Sequence, residues 1–239
     1  MHLLDLTLDT PAENLALDEA LLEAAESGEG PGSVLRLWES PAAAVIVGRS
    51  SRVDEEVDRA ACAQRGIPIL RRTSGGAAVA IGPGCLMHSV VLSCREHPPL
   101  RMIGEAHRHV LGVVASALRT LMPEVEPAGT SDLALGGRKF SGNSLRLKRD
   151  HLLYHGTLLY AFPLDLIAAC LKSPPRQPDY RARREHLDFV MNAPAAPESL
   201  RAALVEAWHA KQPHFDWPES LTRRLAEDRY TRDEWHLQR

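Results

Sequence analysis

Apolar residues recur along the chain in two rhythms, a helical one every three to four positions and a strand-like one in short runs, with turn residues between them. Thr10-Pro11-Ala12-Glu13 places a capping hydroxyl, a proline at the first helical position and a glutamate three residues after the cap, which marks a helix start. The alanine- and leucine-rich run to Ala25 is the helix body, stopped by residues 27–32. Residues 34–38 and 44–48 read as strands, and the Ser40-Pro41 break between them predicts a hairpin. Helical spacing over 54–65 ends at Gly66, where a helix C-terminus wants a left-handed residue, and 67–70 opens another strand. Residues 86–92 read as a strand and 103–121 as a helix. Leu133-Ala134-Leu135, a Gly136-Gly137 turn and the stretches 139–148 and 152–161 form a second set of strands. Pro174-Pro175 opens a proline- and arginine-rich loop reaching Arg184. Helices are expected over 198–210 and 219–228, before Trp235-His236-Leu237. No internal repeat interrupts this order, so the expectation is one α+β domain over residues 1–239.

Composition narrows the function classes. The chain has 239 residues, 44% of them hydrophobic and 25% charged, enough to bury a core. A net charge of −3, without a basic tract, argues against a nucleic-acid partner. No apolar run reaches the roughly 18 residues of a membrane span, and the N-terminus lacks a signal-peptide layout, so a cytoplasmic protein without a membrane partner is expected. Cys62, Cys85, Cys94 and Cys170 show no metal or disulfide spacing, so no protein-built metal site is expected and free buried thiols are.

Candidate chemistry gathers in two stretches. Arg71-Arg72-Thr73-Ser74-Gly75-Gly76-Ala77-Ala78-Val79 sets two arginines and a glycine turn between apolar runs, and Gly82-Pro83-Gly84 follows. Backbone N–H groups freed at such glycines, beside guanidinium groups, suit an anionic phosphate. Strand alternation sends Arg71 and Arg72 to opposite faces, and Arg72 is the one expected to reach a ligand. The second stretch is Gly137-Arg138-Lys139-Phe140-Ser141-Gly142-Asn143-Ser144, with Tyr154-His155-Gly156-Thr157-Leu158-Leu159 after it.

These three motifs, in this order and at these separations, resemble the R-R-x-S-G-G-G-A-V, G-R-K-[IF]-[SA]-G-[NS]-[AS] and H-H-G-T-L-L motifs of the lipoate-protein ligase A family. Asn14-Leu15-Ala16-Leu17-Asp18-Glu19 and Gly66-Ile67-Pro68 are similar to further positions of that family, so the resemblance spans roughly residues 10–190. It implies the fold of the lipoate and biotin ligases and octanoyltransferases, a central mixed β-sheet flanked by helices. It implies a reaction in which ATP and lipoate, with Mg²⁺, give lipoyl-adenylate, whose acyl group passes to a lysine of a lipoyl carrier domain.

The resemblance also assigns residues. Lys139 is the catalytic candidate, a cation that polarises the acyl carbonyl and faces the adenylate phosphate. Arg72, Ser74, Gly75, Gly76, Ala77, Ala78, Val79, Asp132, Gly142, His155, Gly156 and Thr157 are the substrate- and adenylate-binding candidates. Two readings stand for several of them: Ser74 as a phosphate donor or a turn-shaping residue, Asp132 as a nucleotide or metal contact or a turn-stabilising aspartate, His155 as a proton-transfer group or a satisfied core histidine. Val79, Phe140 and Gly142 are candidates for a dry acyl slot, where each buried methylene contributes about 0.8 kcal/mol.

Three departures keep other readings open. Ile81-Gly82 stands where many ligases carry a polar pair, and Gly82-Pro83-Gly84 resembles the H-G-P-G-Q-L of octanoyltransferases. Those ATP-independent enzymes use a cysteine where this chain has Leu152, and another acyltransferase type uses one in a loop matching 124–131, which holds none. Cys85, beside the glycine turn, is then the thiol left for a thioester route, with a structural thiol as the other reading. The chain ends without the C-terminal accessory domain of many ligases, so a separate accessory subunit is an expected partner. A catalytically silent lipoyl-adenylate-binding homologue is the third reading. The G-R-G-R-x-x-R loop of biotin ligases is absent. The loop over 177–186 is read either as a cover over the adenylate or as a solvated basic loop.

Overall fold

The computed structural model describes residues 1–174, 176–211 and 216–238, so Pro175 of the expected proline-rich loop lies outside the described residues. The strands described are β1 (His2–Asp5), β2 (Val34–Glu39), β3 (Ala44–Val47), β4 (Ile69–Arg71), β5 (Val79–Ile81), β6 (Cys85–Ser93), β7 (Glu126–Ala128), β8 (Asp132–Leu135), β9 (Arg138–Leu147) and β10 (His151–Leu159). The helices are α1 (Pro11–Ser27), α2 (Val53–Glu56), α3 (Arg59–Gln64), α4 (Ile103–Arg119), α5 (Leu164–Cys170), α6 (His186–Phe189), α7 (Pro197–Ala207), α8 (Glu219–Leu225) and α9 (Asp233–His236). The main sheet runs β1-β2-β6-β10-β9-β8-β7 and a smaller one runs β4-β3-β5. β1 and β2 are parallel, as are β3 and β4, while the other pairs are antiparallel, so both sheets are mixed.

The capping signals act as read. The Thr10 hydroxyl accepts from Glu13 N at 3.2 Å, the Glu13 carboxylate accepts from Thr10 N at 3.0 Å, and Gly28 closes α1 at φ 78°. Gly136 and Gly137 take φ 56° and 71°, the twist that a two-residue hairpin between β8 and β9 requires.

Two expectations are corrected. β2 and β3 do not form a hairpin: β2 pairs with β1 and β6, β3 pairs with β4 and β5, and the Ser40-Pro41 bend carries the chain from one sheet to the other. The helix expected over 54–65 is two helices, because Asp58 caps α3 by accepting from Ala61 N at 2.9 Å while Val57 pairs with Leu171.

Strand alternation gives the main sheet two different faces. On one, Leu37, Val90, Leu158 and Tyr154 pack with Val110 and Leu118 of α4 and Leu200 and Leu204 of α7. On the other, Val34, Val91 and Leu153 meet Leu17 and Leu21 of α1, and Trp38, Met87 and Leu159 meet Ile46 and Ala80 of the small sheet. The site described below lies on this second side. Among the described residues no helix is long and apolar enough to cross a membrane.

His88 of β6 is fully buried, with Nε2 3.1 Å from Asn143 Oδ1 and Nδ1 without a partner among the described residues. Burial pushes its imidazole down to about 4, against the Asn143 bond, which opposes the shift. The unfolded chain, with an ordinary imidazole near 6.5, takes up a proton that folded His88 refuses until about pH 4. His88 therefore contributes no penalty above pH 6.5, and stability is lost as pH falls from there toward 4, on the order of 3 kcal/mol in total. Urea denaturation at pH 7 and pH 5 is expected to show this loss, and His88→Gln, which keeps a donor for Asn143, to reduce it.

Candidate active site

Register places a polar row across four adjacent strands. Arg36 of β2 pairs with Ser89 of β6, Ser89 with His155 of β10, and His155 with Ser144 of β9, so all four side chains point to the α1 side. Asp18, one face of α1, meets the row from above. Its carboxylate holds Arg36 Nη1 at 2.6 Å, accepts from Ser89 Oγ at 2.7 Å and lies 3.2 Å from His155 Nδ1. Burial raises the Asp18 pKa, but Arg36, His155 and Ser89 together outweigh it and hold the carboxyl below its ordinary value. Arg36 also donates to Asn14 O at 2.8 Å and Leu6 O at 3.1 Å, while its Nε has no hydrogen-bond partner among the described residues.

The glycine loop rests on this row. His155 Nε2 lies 2.5 Å from Ser74 Oγ, and Ser144 Oγ donates to Gly75 O at 2.8 Å. Asp18, His155 and Ser74 thus form a chain of the serine–histidine–aspartate kind. Ser74 Oγ also accepts from Arg72 Nε at 3.0 Å and the residue is 1% exposed, so this hydroxyl is capped and orients the loop. Arg72 donates onward to Ile46 O at 3.1 Å and Ala77 O at 3.0 Å, and to Gly75 O. Burial pushes the Arg72 guanidinium down to about 10, against the opposing charge of Glu56. Arg71 points the other way, as strand alternation requires. It donates to Gly48 O at 2.7 Å, Ser51 O at 2.9 Å and Gln238 O at 2.7 Å, joining the loop to the C-terminal segment.

Lys139 owes its direction to a bulge. Register shifts between Leu133 and Ala134, so Asp132 pairs with Gly142 but Ala134 pairs with Lys139 instead of Phe140. The extra residue turns Lys139 to the same side as Asp132, whose Oδ1 holds the Lys139 ammonium at 2.7 Å. Gly142 leaves the space: a Cβ there would stand 2.8 Å from Lys139 Nζ. Thr157 fixes this strand by accepting from Gly142 N at 3.2 Å. Tyr180 OH donates to Asp132 Oδ2 at 2.7 Å, which ties the loop before α6 to the same carboxylate.

A cavity of about 400 Å³ opens between the glycine loop and the Lys139 hairpin. Arg72, Gly76, Ala77, Ala78, Val79, Asp132, Lys139, Gly142, His155, Gly156 and Thr157 border it. Ser74 and Gly75 are not in its wall; they stand behind it, spoken for by His155 and Ser144. The Ala78 N–H is taken by Glu56 Oε2 at 2.5 Å. Leu15, Ile46, Met87, Leu159 and Ile167 make an apolar side, where Val79 also lies. Phe140 reaches the wall while packing in the core against α4. No cysteine borders the cavity among the described residues. Cys85 is fully buried, 3.9 Å from Met87 Sδ, and burial, with Glu39 nearby, pushes its thiol far up.

The loop over 177–186, read either as a cover over the adenylate or as a solvated loop, borders this cavity through Gln177, Pro178, Arg181 and His186, whereas Glu56 and Lys172 were missed as its neighbours, as was what Asp18 does. An acidic residue in the body of an apolar helix was the available signal for Asp18, since a buried carboxylate requires a partner.

The model of the lipoyl protein ligase A/B catalytic domain matches residues 10–207. Lipoate-protein ligase A subunit 1 of Thermoplasma acidophilum is 28% identical, covering 97% of this chain and 95% of that protein. Octanoyltransferase LipM of Geobacillus kaustophilus is 27% identical, covering 96% and 95%. Among solved structures, a bipartite lipoate protein ligase of Thermoplasma acidophilum superposes with a TM-score of 0.81 at 25% identity, covering 100% of this chain and 97% of that one. Lipoate-protein ligase A bound with ATP gives 0.76 at 27% identity, covering 99% and 98%.

Two substitutions separate the parts of the loop support. Asp18→Asn strands the fully buried Arg36 charge and is expected to lower unfolding free energy by about 3–5 kcal/mol. Ser74→Ala removes one member of the chain and is expected to lower it by about 1 kcal/mol. Equilibrium urea denaturation checks both, and equal losses would contradict the assignment of the ion pair as the main support.

Proposed function

Because the chain belongs to the lipoyl protein ligase A/B catalytic domain family, we propose that it is an ATP-dependent lipoate-protein ligase that forms lipoyl-adenylate and transfers the lipoyl group to a lysine of a carrier domain. The observation that carries this reading is a cavity with a directed ammonium, Lys139, an apolar side for an acyl chain, and no thiol in its wall among the described residues. A thioester route needs an accessible thiolate, and Cys62, Cys85, Cys94 and Cys170 are all buried.

In the first step the lipoate carboxylate attacks the α-phosphate of ATP and pyrophosphate leaves. In the second the carrier lysine attacks the acyl carbonyl and AMP leaves. Both steps build negative charge on oxygen, at phosphorus and then at the carbonyl. An ammonium fixed in a site of low dielectric stabilises such charge without reorganising. Lys139 is assigned that role, with Asp132 and Tyr180 orienting it and the Arg72-braced loop closing one wall. Asp132 and Glu56 are the carboxylates bordering the cavity. They fit a Mg²⁺ ion that arrives on nucleotide phosphates, because such ions are held by one or two carboxylates plus the substrate. The ion supplies charge neutralisation at the phosphates.

A similar chain is a numbered subunit of a two-part ligase and a similar structure comes from a bipartite system with an E2 lipoyl domain. A separate accessory subunit and a lipoyl carrier domain are therefore the proposed partners. Likeness to LipM keeps acyl transfer from a carrier protein as the competing activity.

Mass analysis of an apo lipoyl domain decides between them. The protein with lipoate and Mg-ATP, alone and with an accessory subunit, is expected to add a lipoyl group; octanoyl-carrier protein without ATP is expected to add nothing. Acylation from the carrier protein alone contradicts the ligase reading, and binding of lipoate with neither activity leaves a silent homologue. Lys139→Ala is expected to cut transfer by about 10²–10³-fold while the fold survives, since Asp132 keeps its Tyr180 bond.

A further inference from the structure

Arg181 ends the 3₁₀ turn Asp179–Arg181 and is 3% exposed. Its Nε donates to Arg184 O at 3.0 Å, and its guanidinium lies 4.9 Å from the centre of the Phe189 ring. Nη2 is buried and has no hydrogen-bond partner among the described residues. A buried donor without an acceptor has lost its hydrogen bond to water with nothing in return, and the Glu185 and Asp132 carboxylates offset only part of the burial of the charge. Proteins keep such groups where something else completes them.

The residue borders the cavity, so a ligand can supply the missing acceptor. Its place is fixed relative to Lys139. Arg184 Nη2 donates to Gly137 O at 2.8 Å, Arg138 Nη2 to Val190 O at 2.7 Å, and Met191 N to Lys139 O at 2.8 Å. These bonds sew the loop that carries Arg181 onto the hairpin that carries Lys139.

Charge identifies the ligand class. Among the described residues Arg181 shares the cavity wall with Arg72, Lys139, Lys172 and Arg176, five cations against the two carboxylates of Asp132 and Glu56. One fatty-acid carboxylate leaves this wall with excess positive charge, whereas phosphate oxygens match it in number, and the guanidinium fork suits them in shape.

We propose that Arg181 is a ligand-binding residue whose Nη2 donates to a phosphate oxygen of the bound nucleotide, an assignment that rests on the ATP-dependent reading above. The acyl carboxylate is left to Lys139. Arg181→Gln then weakens nucleotide binding and spares lipoate. Arg181→Lys, which keeps the charge but loses the fork, falls between.

Calorimetric titration of the full chain with ATP, AMP, pyrophosphate and lipoate, separately, tests this. Arg181→Gln is expected to weaken ATP at least tenfold and to leave lipoate within twofold of wild type. A parallel loss for AMP puts Arg181 on the α-phosphate, and a loss confined to ATP and pyrophosphate puts it on the leaving group. Wild-type ATP affinity in Arg181→Gln, or a loss confined to lipoate, overturns the Arg181 assignment alone. Wild-type protein that binds no ATP overturns the ATP-dependent reading and this assignment together. If Arg181→Gln loses every ligand through misfolding, Arg181→Lys decides: weakened ATP with unchanged lipoate supports the assignment, and unchanged ATP overturns it.

Discussion

Asp18 and Arg36 form an ion pair with side chains 1% and 0% exposed, and such a pair is costly to bury unless most of its remaining lone pairs and protons find partners. Here the partners are Ser89 and His155 on the neighbouring strands, and through His155 the requirement reaches Ser74. The glycine loop is therefore placed by the needs of a buried charge in the sheet beneath it. A one-residue slip of β6 or β10 would send Ser89 or His155 to the opposite face and leave the pair unsatisfied, so the same cluster specifies register.

The two halves of the cavity are built by different means. The glycine loop is braced inward: Arg72 spends its donors on loop carbonyls and on Ile46 O of β3, and Arg71 on Gly48 O and the C-terminal segment, so both arginines shape the loop. The hairpin half aims a charge outward through a bulge, a glycine that leaves room and a carboxylate that orients the ammonium. Division of this kind leaves Lys139 and the loop before α6 to face the cavity.

The sequence was most legible where short-range chemistry dictates structure. The Thr10 capping box, the Gly136-Gly137 turn and the helical stripe now seen as α4 each depend on residues a few positions apart, and each was read correctly. Strand partners depend on residues far away, so the expected β2–β3 hairpin failed and the short strands β1, β5 and β7 went unread. Family resemblance pointed to Lys139, Asp132 and His155 as a group, and the structure brings all three to one cavity. It did not separate the loop residues that face the cavity from Ser74 and Gly75 behind it, because alternation ends where a strand gives way to a turn. The loop over 177–186 carried two readings, a cover or a solvated basic loop, because an arginine's burial is not written in local sequence; Arg181 is buried and borders the cavity.

Transfer from lipoyl-adenylate supplied ready-made, without ATP or an accessory subunit, is the most direct measurement of the central claim that the cavity between the glycine loop and the Lys139 hairpin is an acyl-adenylate site. Mixed with the protein and an apo lipoyl domain, the adenylate should disappear as lipoylated domain and AMP appear in equal amounts, and Lys139→Ala should abolish most of that rate. Equal rates with and without the protein, or an unchanged rate in Lys139→Ala, would contradict the account.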